Sequence, residues 1–266
     1  MASPPSPAAS ASGRIALVTG ATHGIGRAVA LGFARAGVQV IATGRTQSAL
    51  ESLDDEIRTA GGPRPTLVPL DLVDGDGVDR LGGAIHQRWG KLDVLIAAAG
   101  ALGVTTPVAH LSPKVWDQVI AVNLTSNYRL IRAMDPLLRA AGHGRAVFLT
   151  SGAATNPRAF WGPYAASKAG LDALVAVYAE EIEHTDVRAA VVNPGPMRTR
   201  MRAQAFPGED PLTLPEPAEI VPLIFEMSRA DLPPPLGVIS FPAWREQQES
   251  AAIAGGAPSN SADPAS

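Results

Sequence analysis

Short apolar runs alternate along this chain with longer stretches in which apolar residues recur every three or four positions. The short runs, at residues 14–19, 38–42, 66–70, 92–97, 145–150, 187–192 and 237–241, have the length and character of buried strands. The helical spacing falls between them, at 26–36, 47–60, 78–89, 112–140 and 164–184. Within the last of these, Leu171, Leu174, Val175, Tyr178 and Ile182 make one stripe. Ser112-Pro113 supplies a cap and a first-turn proline for the long helix at 112–140. Repeated strand–helix–strand order predicts an α/β fold: one doubly wound, Rossmann-like parallel sheet with right-handed crossovers and helices on both faces.

The pattern weakens at both ends. Residues 1–12 and 247–266 are rich in Ala, Ser, Pro and Gly and are expected to be flexible tails around one domain at 13–246. The chain has 266 residues, a length one α/β domain can reach. No apolar run approaches the roughly 20 residues of a membrane span, and a net charge of -3 gives no reason for a nucleic acid or membrane partner. There are no cysteines, so disulfides, thiolate catalysis and Cys-bound zinc are excluded, and no metal site is expected. The N-terminus lacks the basic start and apolar centre of a secretory signal, and the expected location is cytoplasmic.

In open α/β sheets ligands bind beyond the carboxyl ends of the strands, and the chemistry-bearing motifs fall there. After the first strand comes Thr19-Gly20-Ala21-Thr22-His23-Gly24-Ile25-Gly26, followed by a helix. The glycines let the backbone turn sharply and approach a pyrophosphate at the helix N-terminus. The spacing is Gly-x-x-x-Gly-x-Gly, not the commoner Gly-x-Gly-x-x-Gly. At the end of the second strand, where a carboxylate would bind a ribose 2′-hydroxyl, the residues are Gly44-Arg45. A guanidinium suits a 2′-phosphate; a solvated loop arginine is the plainer alternative.

Tyr164 and Lys168 lie four apart on one helix and share a face. An ammonium beside a phenol favours the phenolate and is expected to lower its pKa, so that Tyr164 gives or takes a proton near neutral pH. Ser151 ends the fifth strand's loop on the same rim, either to hold a carbonyl oxygen or to satisfy backbone groups. Asn123 sits mid-helix, where Asn is a poor former, so a core hydrogen bond or a part in catalysis must hold it there. Asn193-Pro194-Gly195-Pro196-Met197-Arg198-Thr199 makes a rigid turn after the sixth strand. Phe160 and Trp161 suggest an apolar wall nearby. Residues 198–217 form a long irregular connection, expected to be a lid. In it Met201, Phe206 and Leu212 suit an apolar substrate, and Arg198, Arg200 and Arg202 an acidic one.

In order and spacing these residues resemble the short-chain dehydrogenase/reductase family over roughly residues 14–241. The resemblance implies a catalytic tetrad of Asn123, Ser151, Tyr164 and Lys168. It implies cofactor contacts from Gly20, His23, Gly24, Ile25, Gly26, Arg45, Asp71, Leu72, Ala98 and Gly100. Tyr164, Lys168, Pro194, Gly195, Met197 and Thr199 complete that set. The implied activity is hydride transfer between NADP(H), or NAD(H), and a small carbonyl or alcohol substrate. Tyr164 would protonate the alkoxide, Lys168 would bind the ribose and depress the tyrosine pKa, and Asn123 would position a water. A catalytically idle NADP(H)-binding sensor or scaffold, or an epimerase or dehydratase, would share the fold. Two departures stand out: Ala97-Ala98-Ala99-Gly100 replaces the family's Asn-Asn-Ala-Gly, and the last strand lacks Asp-Gly-Gly. A homodimer or homotetramer is expected, because the family's two long helices pack against a symmetry mate and here carry extra apolar residues such as Leu130, Leu137 and Val177.

Overall fold

In a computed structural model that describes residues 13–233 and 237–255, seven strands form one parallel sheet in the order β3-β2-β1-β4-β5-β6-β7. The strands are β1 (Ile15–Thr19), β2 (Gln39–Gly44), β3 (Thr66–Pro69), β4 (Val94–Ala97), β5 (Arg145–Leu149), β6 (Arg188–Asn193) and β7 (Val238–Ser240). Every residue of β1, β4 and β5 is buried, as parallel strands covered on both faces must be. The helices are α1 (Gly24–Arg35), α2 (Gln47–Thr59), α3 (Gly75–Trp89), α4 (Pro113–Ile120), α5 (Ser126–Ala140), α6 (Gly162–Glu181), α7 (Arg200–Ala205), α8 (Val221–Met227) and α9 (Phe241–Gly255).

Two cores result, one per face. Val29 and Phe33 of α1, Leu50 and Leu53 of α2 and Ile224 of α8 pack on one side. Val78 and Ile85 of α3, Met134 of α5 and Leu171 and Val175 of α6 pack on the other. Leu130 and Leu137, expected to be surplus apolar residues on the surface, are members of this second core. Val177 alone of the three is exposed. The sheet order reverses between β1 and β4, and this switch point opens a crevice at the strands' carboxyl ends.

The expected helix at 112–140 is interrupted. Between α4 and α5 the backbone widens to a π-helical turn, Ala121–Thr125, with fully buried Asn123 at its centre. Ser112 precedes α4 without a side-chain capping bond, so Pro113 alone carries out the expected start. From Gln247 onward, where a tail is expected, the chain continues α9 to Gly255, with residues 247–251 exposed. The helix is anchored near its start, where Trp244 Nε1 donates to Glu226 Oε2 at 2.8 Å and Arg245 pairs with Glu219 at 3.3 Å. The tails at 1–12 and 256–266 lie outside the described residues.

Candidate functional site

The crevice is a cavity of about 700 Å³. The loops after β1, β2, β4, β5 and β6 line it, together with the start of α6 and of α7.

The β1–α1 loop sets its floor. Gly20 has φ 65°, and a Cβ there would lie 2.9 Å from the backbone of Ala99. A Cβ on Gly26 would lie 2.4 Å from the Gly20 carbonyl oxygen. Only glycine lets this loop pass so close to the β4 loop and still turn into α1. Thr19, buried behind it, is a positioning residue that sequence reasoning left unassigned. Its Oγ1 accepts from the backbone N–H of Ala98 at 3.1 Å and of Ala99 at 3.3 Å. Thr19 thereby holds the β4 loop where no asparagine side chain is present. His23 precedes α1 with its ring nitrogen 2.9 Å from Thr22 Oγ1.

At the end of β2, Gly44 faces Thr22 so closely that a Cβ would lie 2.4 Å from its Cγ2. A carboxylate at 44 would require Thr22 to shift, and the exposed Arg45 is the cation this strand end offers. Asp71 and Leu72 border the same end, with Asp71 Oδ1 accepting from Val73 N at 3.1 Å.

Across the cavity, Tyr164 and Lys168 rise from α6, 8% and 4% exposed respectively. The Tyr164 phenol faces the Ser151 hydroxyl, and Ser151 Oγ accepts from Ala153 N at 3.2 Å. Lys168 Nζ donates to the Leu149 carbonyl at 2.7 Å, bracing α6 against β5. Burial pulls the Lys168 ammonium down to about 8, and the Asp172 carboxylate one turn on offsets part of that fall. The expected lowering of the Tyr164 pKa is corrected for the protein alone. Burial raises it, the nearby Ser151 hydroxyl opposes only part of the rise, and Lys168 directs its proton to Leu149 instead.

Asn123 does not border the cavity. Its Oδ1 accepts from Ala101 N at 2.7 Å; its Nδ2 donates to Ala101 O and to Ser167 Oγ, each at 2.9 Å. With its side chain so committed, it clamps the β4 loop to α6, which favours the core-hydrogen-bond reading of this residue. The other expected site residues, Gly20 through Thr199, all line the one cavity.

The β6 turn closes the near side. Asn193 Oδ1 accepts from Gly195 N at 3.0 Å, Met197 is buried, and Thr199 Oγ1 caps α7 by accepting from Arg202 N at 3.2 Å. Beyond it, the expected lid residues divide. Met201, Arg202 and Ala205 face the cavity, whereas Leu212 is 75% exposed and lies outside its lining. Arg198 also points elsewhere, pairing with Glu216 at 2.7 Å and donating to Pro211 O at 2.9 Å. Trp161 lines the cavity; Phe160 does not and is 55% exposed.

A seven-stranded parallel sheet with a glycine-floored cleft at its switch point, and a Ser-Tyr-Lys cluster facing it, defines a doubly wound nucleotide-cleft protein. The family described as short chain dehydrogenase matches residues 14–210, and the chain belongs to that family of oxidoreductases. It is 39% identical to the oxidoreductase YciK of Escherichia coli strain K12, over 79% of this chain and 84% of that one. It is 31% identical to an NADPH-dependent aldehyde reductase-like chloroplastic protein of Arabidopsis thaliana, over 78% of this chain and 79% of that one. A crystal structure of a short chain dehydrogenase from Escherichia coli CFT073, complexed with NADPH, matches with a TM-score of 0.84 at 36% identity. The match covers 89% of this chain and 99% of that one. A Shigella flexneri relative complexed with NADP matches with a TM-score of 0.82 at 36% identity, covering 86% of this chain and 96% of that one.

Proposed function

We propose that this protein is an NADP(H)-dependent oxidoreductase that interconverts a carbonyl and an alcohol. The observation that carries the reading is the placement of Tyr164, Ser151 and Lys168 together on the wall of the cavity that the Gly20–Gly26 loop floors.

The residues present fit the cofactor. The backbone at Gly20 leaves an open approach that a Cβ would close, and the N-terminus of α1 offers free N–H groups and a positive dipole end to a pyrophosphate. Arg45 would take the 2′-phosphate, while the packing of Gly44 on Thr22 keeps a repelling carboxylate away. Asp71 and Leu72 would frame the adenine, and Pro194 to Thr199 the nicotinamide amide. NADPH, when bound, supplies the hydride.

Tyr164 would give its phenolic proton to the oxygen that becomes the alcohol. Its raised pKa keeps that proton in place at neutral pH until the oxygen needs it. Ser151, on the same wall as the phenol, would share the substrate oxygen with it. Lys168 holds a proton at Nζ below about pH 8 and would face the ribose hydroxyls; its charge stabilises negative charge as it develops on the phenol. Asn123 acts through the β4 loop and α6, which it joins. An intact Tyr-Ser-Lys cluster in an open cavity favours catalysis over a purely sensing role.

The test is NADPH oxidation against a panel of aldehydes and ketones, with Tyr164→Phe as control. Tyr164→Phe is expected to lose about a hundredfold or more of kcat while NADPH binding, followed by fluorescence titration, stays within twofold. Near-normal turnover in that variant overturns the proposal.

A further inference from the structure

An aromatic wall leads from the catalytic phenol to a cation. The ring of Tyr164 meets Trp161 edge-on at 5.7 Å, Trp161 meets Phe206 at 5.6 Å, and the Arg158 guanidinium lies 5.5 Å from the Phe206 ring. Resting on the reading that a carbonyl is reduced beside Tyr164, we propose that the substrate carries a carboxylate at the far end of an apolar body, and that Arg158 receives it.

The charges around the cavity single out this residue. Asp71 is the one carboxylate among the described lining residues, and it sits with Arg45 and His23 at the β2 end. The opposite end holds Arg158, Arg200 and Arg202. Arg202 is already neutralised, held by both oxygens of Glu209 at 2.5 and 2.6 Å while stacking 3.8 Å from the Phe206 ring centre. Arg200 also lines the cavity, yet among the described residues it stacks on no aromatic ring, whereas Arg158 lies over Phe206. Arg158 remains: exposed, lining the cavity, and with no carboxylate paired to it among the described residues.

The loop that carries it is braced. Asn156 N donates to Gly152 O at 2.8 Å and Trp161 N donates to Arg158 O at 3.2 Å, so the arginine and the aromatic wall share one turn. Phe160 completes that turn at φ 73°, the one non-glycine residue with positive φ among those described, and Thr106 N donates to its carbonyl at 3.1 Å. A phenylalanine held there is strained, and such strain is sustained where surrounding contacts over-determine the backbone. These backbone hydrogen bonds hold the turn from which Arg158 and Trp161 both project. A cation beside an aromatic face suits a carboxylate on an apolar chain, which gains contact along Trp161, the ring beside Phe206 that lines the cavity, and charge pairing at Arg158.

The test measures binding of octanoate and of octanamide to the NADP+-loaded protein by titration calorimetry. Octanoate is expected to bind about fivefold or more tightly at low salt, with the preference shrinking in molar salt. Arg158→Gln should abolish the preference, Arg158→Lys should keep part of it, and octanamide affinity should stay unchanged in both. Equal affinity for acid and amide in the wild type, or a preference untouched by Arg158→Gln, overturns the proposal. Turnover of the ω-oxo derivative of octanoate against its methyl ester separates this inference from the function beneath it. Reduction of both at equal kcat/KM overturns the carboxylate and leaves the oxidoreductase. Reduction of neither, with the octanoate preference intact, supports Arg158 as receiver and overturns the oxidoreductase.

Discussion

Lys168 shows at the scale of one residue how a site built for chemistry works against the fold. Its ammonium is almost fully enclosed, and one carbonyl at 2.7 Å is its only hydrogen-bond acceptor among the described residues. The unfolded chain's lysine keeps its proton to about pH 10.5, whereas the folded one releases it near 8. Between those values the unfolded state binds more protons, so stability rises with pH across that window. Below about pH 8 the whole penalty is present, on the order of 3 kcal/mol from a shift of that size. Lys168→Met is therefore expected to raise the midpoint of thermal unfolding of the cofactor-free protein at pH 7. The gain should fade as the pH climbs from 8 toward 10.5, and turnover should be lost. A variant less stable than wild type at pH 7 would mean that the bond to Leu149 outweighs the cost of burying the charge.

At the scale of elements, the packing of β2 against the β1–α1 loop decides which charge the strand end can carry. Gly44→Asp would drive a side chain into Thr22. It is expected to weaken NADPH and NADH binding alike by displacing the loop, instead of switching the preference to NADH. Arg45→Ala, which touches no packing partner among the described residues, should weaken NADPH about tenfold or more and leave NADH within twofold. Fluorescence titration of both variants with both cofactors checks this; equal loss for the two cofactors in Arg45→Ala would remove Arg45 from the 2′-phosphate. The elements themselves were largely legible in the sequence, because strands buried on both faces must be continuously apolar and the helices between them must be striped. Three were not. The π turn at Asn123 leaves the apolar spacing of the helix intact and shows only as an ill-suited asparagine. The seven-residue α8 is too short for a period and carries Pro222 in its first turn. The helix α9 reads as a tail because Ala, Gly and Ser dominate it after Glu249; what holds it is Trp244 reaching Glu226, a contact between residues 18 apart. The site was legible by its spacing, yet the roles of Asn123 and Thr19 depend on hydrogen bonds across 22 and about 80 residues, which spacing does not encode.

For the whole molecule, the remaining question is what covers the outer face of α4, α5 and α6. Single exposed apolar residues are ordinary on a protein surface. Here three exposed apolar residues, Trp116 on α4, Tyr128 on α5 and Val177 on α6, fall on consecutive helices of one layer, at 39%, 51% and 58% exposure. The second core takes Leu130, Leu137, Leu171 and Val175 from α5 and α6, and among the described residues Trp116, Tyr128 and Val177 belong to none of the buried clusters. A two-fold axis beside this layer would set each patch against its own copy, and such self-complementary contacts are the commonest route to closed assembly. Among the described residues no helix is long and apolar enough to cross a membrane. The expected state is a homodimer or homotetramer, seen as twice or four times the chain mass by light scattering at micromolar concentration. Val177→Glu should shift that mass toward the monomer with an unchanged far-ultraviolet circular dichroism spectrum, since the residue supports nothing inside the fold. Its unfolding midpoint should fall as well, and should no longer rise with protein concentration as an associating wild type's does. A wild-type monomer at these concentrations would show that the helix layer faces solvent.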